Sequence, residues 1–135
     1  LHYFETANPA GRRLLPAHPE ALAHDLHLLG VILAASEKAV QHVYEHRLRP
    51  EEKQHQPWIA RVTGQLLAAC REWDARLADR AAAAQPDQVL VTSTVVWSFI
   101  QLMIPAVVSA AAFPHIRALA EKGEALPAFQ QYPLG

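Results

Sequence analysis

Apolar residues recur at helical spacing along most of the chain, and prolines separate the segments that carry this pattern. The longest segment begins at Pro19 and extends to about Leu48. His18-Pro19-Glu20 places a proline at the first helical position and an acid in the first turn, which is typical of a helix start. The segment is therefore predicted to be one long helix with a wide apolar face. This face comprises Leu22, Leu26, Leu29, Val31, Leu33, Val40, Val43 and Tyr44.

The next two segments are also predicted to be helical. Pro57 opens a helix whose apolar stripe continues to about Ala82. After Pro86, Asp87 can accept a hydrogen bond from a free N–H group and so begin a third helix, which continues through Leu102. Its β-branched residues would permit a strand. However, the apolar run is too long for one strand, and no turn pairs it with another.

Shorter helices are predicted at the two ends of the chain. Residues 1–8 start on an apolar position without a cap, as the tail of a helix would, and Asn8-Pro9-Ala10-Gly11 breaks the backbone. Pro114 begins a fourth helix that ends near Gly123, a residue that often terminates helices. A last short turn follows at Pro127. The pattern as a whole predicts an all-α chain that forms a single domain over residues 1–135.

One uncharged run, from Gln88 to Pro114, is long enough to cross a bilayer. Several Ser and Thr residues and Gln101 make it too polar for a typical membrane span, and Pro105 interrupts it. No basic flank or aromatic belt orients it. It is therefore predicted to be a central, fully buried helix followed by a loop.

Composition narrows the class of protein. The chain has 135 residues, of which 51% are hydrophobic, and this is enough for one domain with a core. Its 12 Lys and Arg nearly balance 13 Asp and Glu without forming blocks, so no nucleic-acid or membrane partner is indicated. A lone cysteine builds no disulfide framework, and the start of the chain does not resemble a secretory signal. We therefore expect a cytoplasmic protein.

The sequence His42-Val43-Tyr44-Glu45-His46 matches the H-x-x-E-H pattern of one class of zinc peptidases. Two histidines one helical turn apart suit zinc, with Glu45 as the base, and a third ligand would have to be Glu121 or Glu124. A five-residue match has low specificity in a chain with eight histidines. A histidine-rich exposed face is the ordinary alternative. We therefore predict no bound metal.

No catalytic group emerges from the residues alone. Cys70 lies on the apolar stripe of its helix, where burial raises the pKa of a thiol and makes it inert. The five glycines are isolated, so no phosphate-binding loop is present, and there is no G-x-S-x-G nucleophile elbow.

An ordered series of short motifs spans essentially the whole chain. It comprises Arg12-Arg13-Leu14-Leu15-Pro16, Glu37-Lys38-Ala39-Val40, Arg49-Pro50-Glu51-Glu52-Lys53, Pro57-Trp58-Ile59-Ala60-Arg61, Gly64-Gln65-Leu66, Trp97-Ser98-Phe99, Phe113-Pro114 and Glu124-Ala125-Leu126-Pro127-Ala128-Phe129. This series resembles the C-terminal helical domain of bacterial glutathione S-transferases. One departure concerns the capping box of the family's buried helix, because Leu90 stands where an acid usually follows the cap residue. A second is the connector Ala81–Pro86, which is shorter than usual.

The resemblance implies a helical bundle of the glutathione S-transferase C-terminal type, with residues 1–16 as the tail of a preceding domain and a linker. In that family, glutathione and the catalytic residue belong mostly to an N-terminal thioredoxin-like domain. Nothing in this chain has the pattern of that domain. We therefore expect no catalytic residues here and no conjugation by the chain alone. Glutathione would be a co-substrate of the intact detoxifying enzyme, which would be a homodimer.

The resemblance also implies which residues contact the second substrate, a hydrophobic small-molecule electrophile. We call this set the co-substrate wall, and it consists of Glu37, Val40, Gln41, Tyr44, Phe99 and Met103. An alternative is that Val40 and Phe99 are ordinary core residues. Because one fold serves many functions, the alternative function is a non-catalytic binding or protein-interaction module.

Overall fold

The computed structural model of the chain describes residues 2–7, 13–81, 83 and 85–133. Within these ranges every regular element is helical. In chain order the α-helices are α1 (His2–Ala7), α2 (Pro19–Arg47), α3 (Gln56–Asp79), α4 (Gln88–Met103), α5 (Pro114–Glu124) and α6 (Pro127–Gln131), and two 3₁₀ turns lie at Glu51–Lys53 and Ala110–Ala112. The all-α prediction is confirmed. The predicted break at Asn8–Gly11 lies outside the described residues, as do Ala82 and Ala84.

Helix starts follow the local chemistry of the sequence. A proline occupies one of the first two positions of α2, α3, α5 and α6, where its missing N–H group has no helical partner to lose. Helix α4 begins differently, because Asp87 Oδ1 accepts a hydrogen bond from the Leu90 N–H at 2.8 Å. The predicted cap is therefore confirmed.

The core lies where α2 and α3 pack as an antiparallel pair and α4 packs against α2 and α5. Helix α5 also reaches back to α3. The large side chains with no exposed surface come from all four helices and include Leu28, Ile32, Leu66, Trp73, Ile100 and Ile116. Trp97 joins Trp73 to Phe113 through two edge-on ring contacts, each with centroids 6.2 Å apart. These contacts fix α3, α4 and the start of α5 around one aromatic centre.

One sequence-based expectation, the complete burial of α4, is wrong. Helix α4 is not fully buried, because Val95 is 42% exposed and Leu102 is 57% exposed on its outward side. Helix α5 ends at Glu124, near Gly123 as the sequence predicts. Gly123 itself is a buried helical residue, and an added Cβ there would collide with the Thr94 side chain on α4. Close packing between helices, rather than chain reversal, explains this glycine.

Helix α4 ends at Met103, well before the end of the uncharged run. None of the described helices combines the length and the apolar character that crossing a membrane requires.

Candidate functional site

The α2 part of the predicted co-substrate wall lies in the C-terminal half of that helix, on its partly exposed side. Glu37 and Tyr44 are exposed, whereas Val40 and Gln41 are half-buried. Gln41 Nε2 donates to Glu37 Oε1 at 2.8 Å, and Lys38 Nζ donates to Gln41 Oε1 at 3.2 Å. Because residues three and four apart share a helix face, Glu37 and Gln41 lie on the same face of α2 as Tyr44. This part of the wall offers one aromatic surface and several hydrogen-bonding groups.

The α4 part of the wall is apolar and half-buried. Phe99 and Met103 pack against the edge of the core. The opposite flank of α4 faces α5, as the approach of Thr94 to Gly123 and the hydrogen bond from Ser98 to Glu124 show. At about 100° per residue, Phe99 and Met103 point away from α5. Helix α2 also packs against α4. The structure thus puts the two halves of the wall on neighbouring helices.

None of the six wall residues lines either of two clefts that the described residues form. One cleft, of about 360 Å³, lies between the end of α3, the start of α4 and α5. The other, of about 550 Å³, lies between α4, α5 and α6. The predicted wall therefore lies outside both of these clefts.

The histidine motif, residues 42–46, lies at the end of α2 and makes hydrogen bonds with α3 and with the connector between the two helices. His46 Nδ1 donates to the carbonyl oxygen of His42 at 2.8 Å, and His42 Nδ1 lies 3.1 Å from Thr63 Oγ1. Burial, and secondarily the nearby His46, lowers the pKa of His42 below its ordinary value of 6.5. The buried Glu45 accepts a hydrogen bond from the His55 N–H and pairs with Arg49.

The Glu45 carboxylate therefore binds the connector between α2 and α3, and it is not positioned to act as a catalytic base. In the part of the chain that the structure describes, no three His, Cys, Asp or Glu side chains come together as metal ligands. The expected absence of a metal stays a prediction.

Comparison with solved structures links this architecture to enzymes. The glutathione S-transferase of Methylobacterium radiotolerans, in complex with glutathione sulfonate, superposes on 96% of this chain with a TM-score of 0.84 at 21% identity. A glutathione S-transferase of Methylobacillus flagellatus with glutathione bound covers the same share with a TM-score of 0.83 at 17% identity. The fold is that of a glutathione transferase C-terminal domain.

The match covers only part of each transferase. This chain spans 61% and 64% of the length of those two proteins, and 66% of a glutathione transferase family member from Pseudomonas fluorescens that superposes with a TM-score of 0.79 at 19% identity. That protein was crystallised with S-(propanoic acid)-glutathione. No family model matches the sequence, and no curated protein is significantly similar to it.

One buried ionic cluster among the described residues was not predicted from the sequence. Arg80, next to the end of α3, donates to both carboxylate oxygens of Asp25 at 2.9 and 2.7 Å and to Asp87 at 2.8 Å. The hydrogen bond to Asp25 is the main reason why the pKa of Arg80 rises. Asp25 interrupts the apolar face of α2 one turn before Leu28. A charged residue in such a position usually needs a buried partner, and this was the feature of the sequence that could have indicated the cluster. The cluster ties the start of α2 to the start of α4.

Cys70 is a core residue of α3 and not a candidate nucleophile. The thiol is completely buried on α3, and burial raises its pKa to about 12. A neutral thiol without access to solvent is a poor nucleophile. Cys70 therefore belongs to the core, as the sequence pattern indicates.

Proposed function

We propose that this chain is the helical domain of a glutathione transferase and forms the co-substrate side of its active site. The observation that carries the proposal is the superposition of 96% of the chain on transferases whose structures contain glutathione or its derivatives. In the proposed reaction, the glutathione thiolate attacks an electrophilic carbon of an apolar substrate. A carbon–sulfur bond forms, the bond to the leaving group breaks with its electron pair, and the thiol proton passes to water.

The thiolate would be supplied by a thioredoxin-like domain, for which residues 1–16 would provide the tail and linker. The outward side of α4 supports this partner. Helix α4 carries no charged residue, and exposed Val95 and Leu102 lie two turns apart on the same side. The Leu14 carbonyl accepts a hydrogen bond from the Gln88 N–H at 2.9 Å, so the proposed linker reaches the start of this helix. A folded partner on α4 would cover its apolar stripe.

The co-substrate wall would hold the electrophile through apolar and aromatic contacts. Phe99 and Met103 offer polarisable surface beside the core, and Tyr44 offers an exposed ring. The hydrogen-bonded Glu37 and Gln41 would meet the polar groups of the same molecule. Because the thiol site is assigned to another domain, the wall would bind and orient the electrophile rather than activate the thiol.

The chain contains one methionine, Met103, which allows a direct test of the wall. A protein labelled with ¹³C at its methionine methyl groups should be titrated with 1,3-dinitrobenzene, an aromatic compound without a leaving group. We expect the Met103 signal, assigned with Met103→Leu, to shift in a saturable way. Glutathione alone should leave it unmoved. Phe99→Ala should weaken the response, whereas Lys53→Gln, a change in the α2–α3 connector, should not affect it.

A second measurement tests the assignment of the thiol site to another domain. The chain alone should not accelerate conjugation of glutathione to 1-chloro-2,4-dinitrobenzene above the uncatalysed rate. If conjugation saturates with glutathione, the assignment of the thiol site to another domain is wrong. If Met103 is silent in every titration, the wall is misplaced and the non-catalytic module becomes the better interpretation of the fold.

A further inference from the structure

The smaller cleft, which we call the end cleft, lies away from the co-substrate wall and shares none of its residues. Its described lining comes largely from helices α3, α4 and α5 and from the connector between α3 and α4, with Leu77 and Leu119 among the apolar residues and Arg80, His115 and Lys122 among the polar ones. Its volume of about 360 Å³ falls within the roughly 300–1,000 Å³ typical of small-molecule sites. The size and the aliphatic lining suit a compact apolar body.

Most of the polar groups around the end cleft are already paired. Arg80 is held by two carboxylates, those of Asp25 and Asp87. His115 Nδ1 lies 2.9 Å from the carboxylate of Asp74, which also accepts the N–H groups of His115 and Ile116. Arg80 and His115 thus already have carboxylate partners, so they attract a further anion less strongly than an unpaired cation would.

Lys122 differs from the other cations of the cleft. Its ammonium group makes no ion pair or side-chain hydrogen bond with any residue that the structure describes. The end cleft therefore combines an aliphatic lining with one available positive charge. A polyanion would leave charges unpaired against leucine side chains, which is costly, whereas a single carboxylate would be matched.

We propose that the end cleft binds a monocarboxylic acid with an apolar tail, such as a medium-chain fatty acid. The tail lies against Leu77, Leu90 and Leu119, and the carboxylate accepts a hydrogen bond from Lys122. This site is independent of glutathione and of the co-substrate wall.

The test uses octanoate and 1-octanol, which share a tail but differ in charge, titrated calorimetrically into the 135-residue chain. Octanoate should bind at a ratio of one to one. Lys122→Gln should weaken it about two- to fivefold, as expected for a solvent-exposed ion pair, and should leave 1-octanol unchanged. Lys53→Gln removes a lysine outside the cleft and is the matched control.

A second variant tests the location. Ala118 is exposed on α5 and lines the cleft, so Ala118→Phe should fill the space and abolish octanoate binding while the helical circular dichroism is retained. If this variant does not fold, Lys122→Glu should still repel octanoate. Octanoate should not shift the Met103 methyl signal, which separates this site from the wall. No saturable binding, binding that survives Ala118→Phe, or equal loss of both ligands in Lys122→Gln would overturn the proposal.

Discussion

Asp87 has two tasks at the start of α4. One carboxylate oxygen caps the helix by accepting from Leu90, and the other accepts from the partly buried Arg80 guanidinium. Asp87→Ala should therefore lower the free energy of unfolding by about 1–3 kcal/mol, more than an isolated cap would. Chemical denaturation monitored by circular dichroism is the measurement.

Asp87→Asn is the informative companion variant. Asparagine still caps a helix, so this variant loses mainly the ion pair with Arg80 and should be destabilised less than Asp87→Ala. An unchanged denaturation midpoint in Asp87→Ala would show that neither contact contributes to stability.

His42 makes stability depend on pH. Its pKa is lowered in the folded chain by burial and by His46, so the unfolded chain binds the proton more readily. Protonation of His42 therefore lowers the free energy of unfolding. This loss of stability is absent well above pH 6.5, the unfolded pKa, and grows as the pH falls from that value towards the pKa of the folded chain. The free energy of unfolding should therefore be lower at pH 5 than at pH 7.5.

His42→Gln tests this assignment, because it removes the titrating group while keeping a polar side chain near Thr63. The dependence of stability on pH should become shallower in this variant. His24→Gln, on an exposed position of the same helix, should keep the dependence of the parent chain. Equal slopes in the parent and in His42→Gln would assign the effect to other groups.

At the scale of elements, two helical glycines distinguish the effect of helix propensity from the effect of packing between helices. Gly64 lies exposed in the middle of α3 with open space where a side chain would project, whereas Gly123 touches Thr94 on α4. Gly64→Ala should raise the free energy of unfolding by about 0.5–1 kcal/mol through the greater helix propensity of alanine. Gly123→Ala should lower it by about 1–3 kcal/mol, because α4 and α5 would be forced apart.

The pair of glycine variants should be compared by thermal and chemical denaturation. Thr94→Ala removes the hydroxyl and methyl groups that a new Cβ would meet, so it should offset part of the cost of Gly123→Ala. If Gly123→Ala behaves like Gly64→Ala, the two helices do not approach as closely as described.

At the scale of the whole molecule, the outward face of α2 predicts self-association. Leu26 is 50% exposed and Leu33 is 58% exposed, and both lie on the same stripe as Tyr44. Leu14 and Leu15, in the proposed linker, are half-buried beside Glu5, whose carboxylate accepts both of their N–H groups. Exposed apolar stripes tend to find a partner, and a two-fold dimer is the simplest closed arrangement.

Sedimentation velocity at micromolar concentration tests this association. The parent chain should contain a dimer, and Leu33→Glu should shift it towards monomer by placing a charge in the contact. Leu102→Glu, on the outward side of α4, is the matched control and should leave the dimer intact. A strictly monomeric parent chain across the concentration range would refute the prediction.

The sequence by itself determined the local structure of this protein. Helical periodicity, prolines at first positions and the cap at Asp87 located α2 to α5 within a few residues, because these features act between neighbours in the chain. The motif series also led to the correct fold type. For the co-substrate wall, however, the sequence supplied only a proposal that rests on resemblance, and neither cleft contains it.

Only the tertiary structure decided how distant positions meet. Asp25 and Arg80 are 55 residues apart, and they pair because α2 and α3 are antiparallel. Gly123 looks like a helix end in the sequence, yet its role depends on Thr94 from another helix. The exposure of Val95 and Leu102 likewise depends on which sides of α4 its neighbours leave uncovered. Periodicity identifies an apolar face, but the burial of that face is a property of the surfaces packed against it.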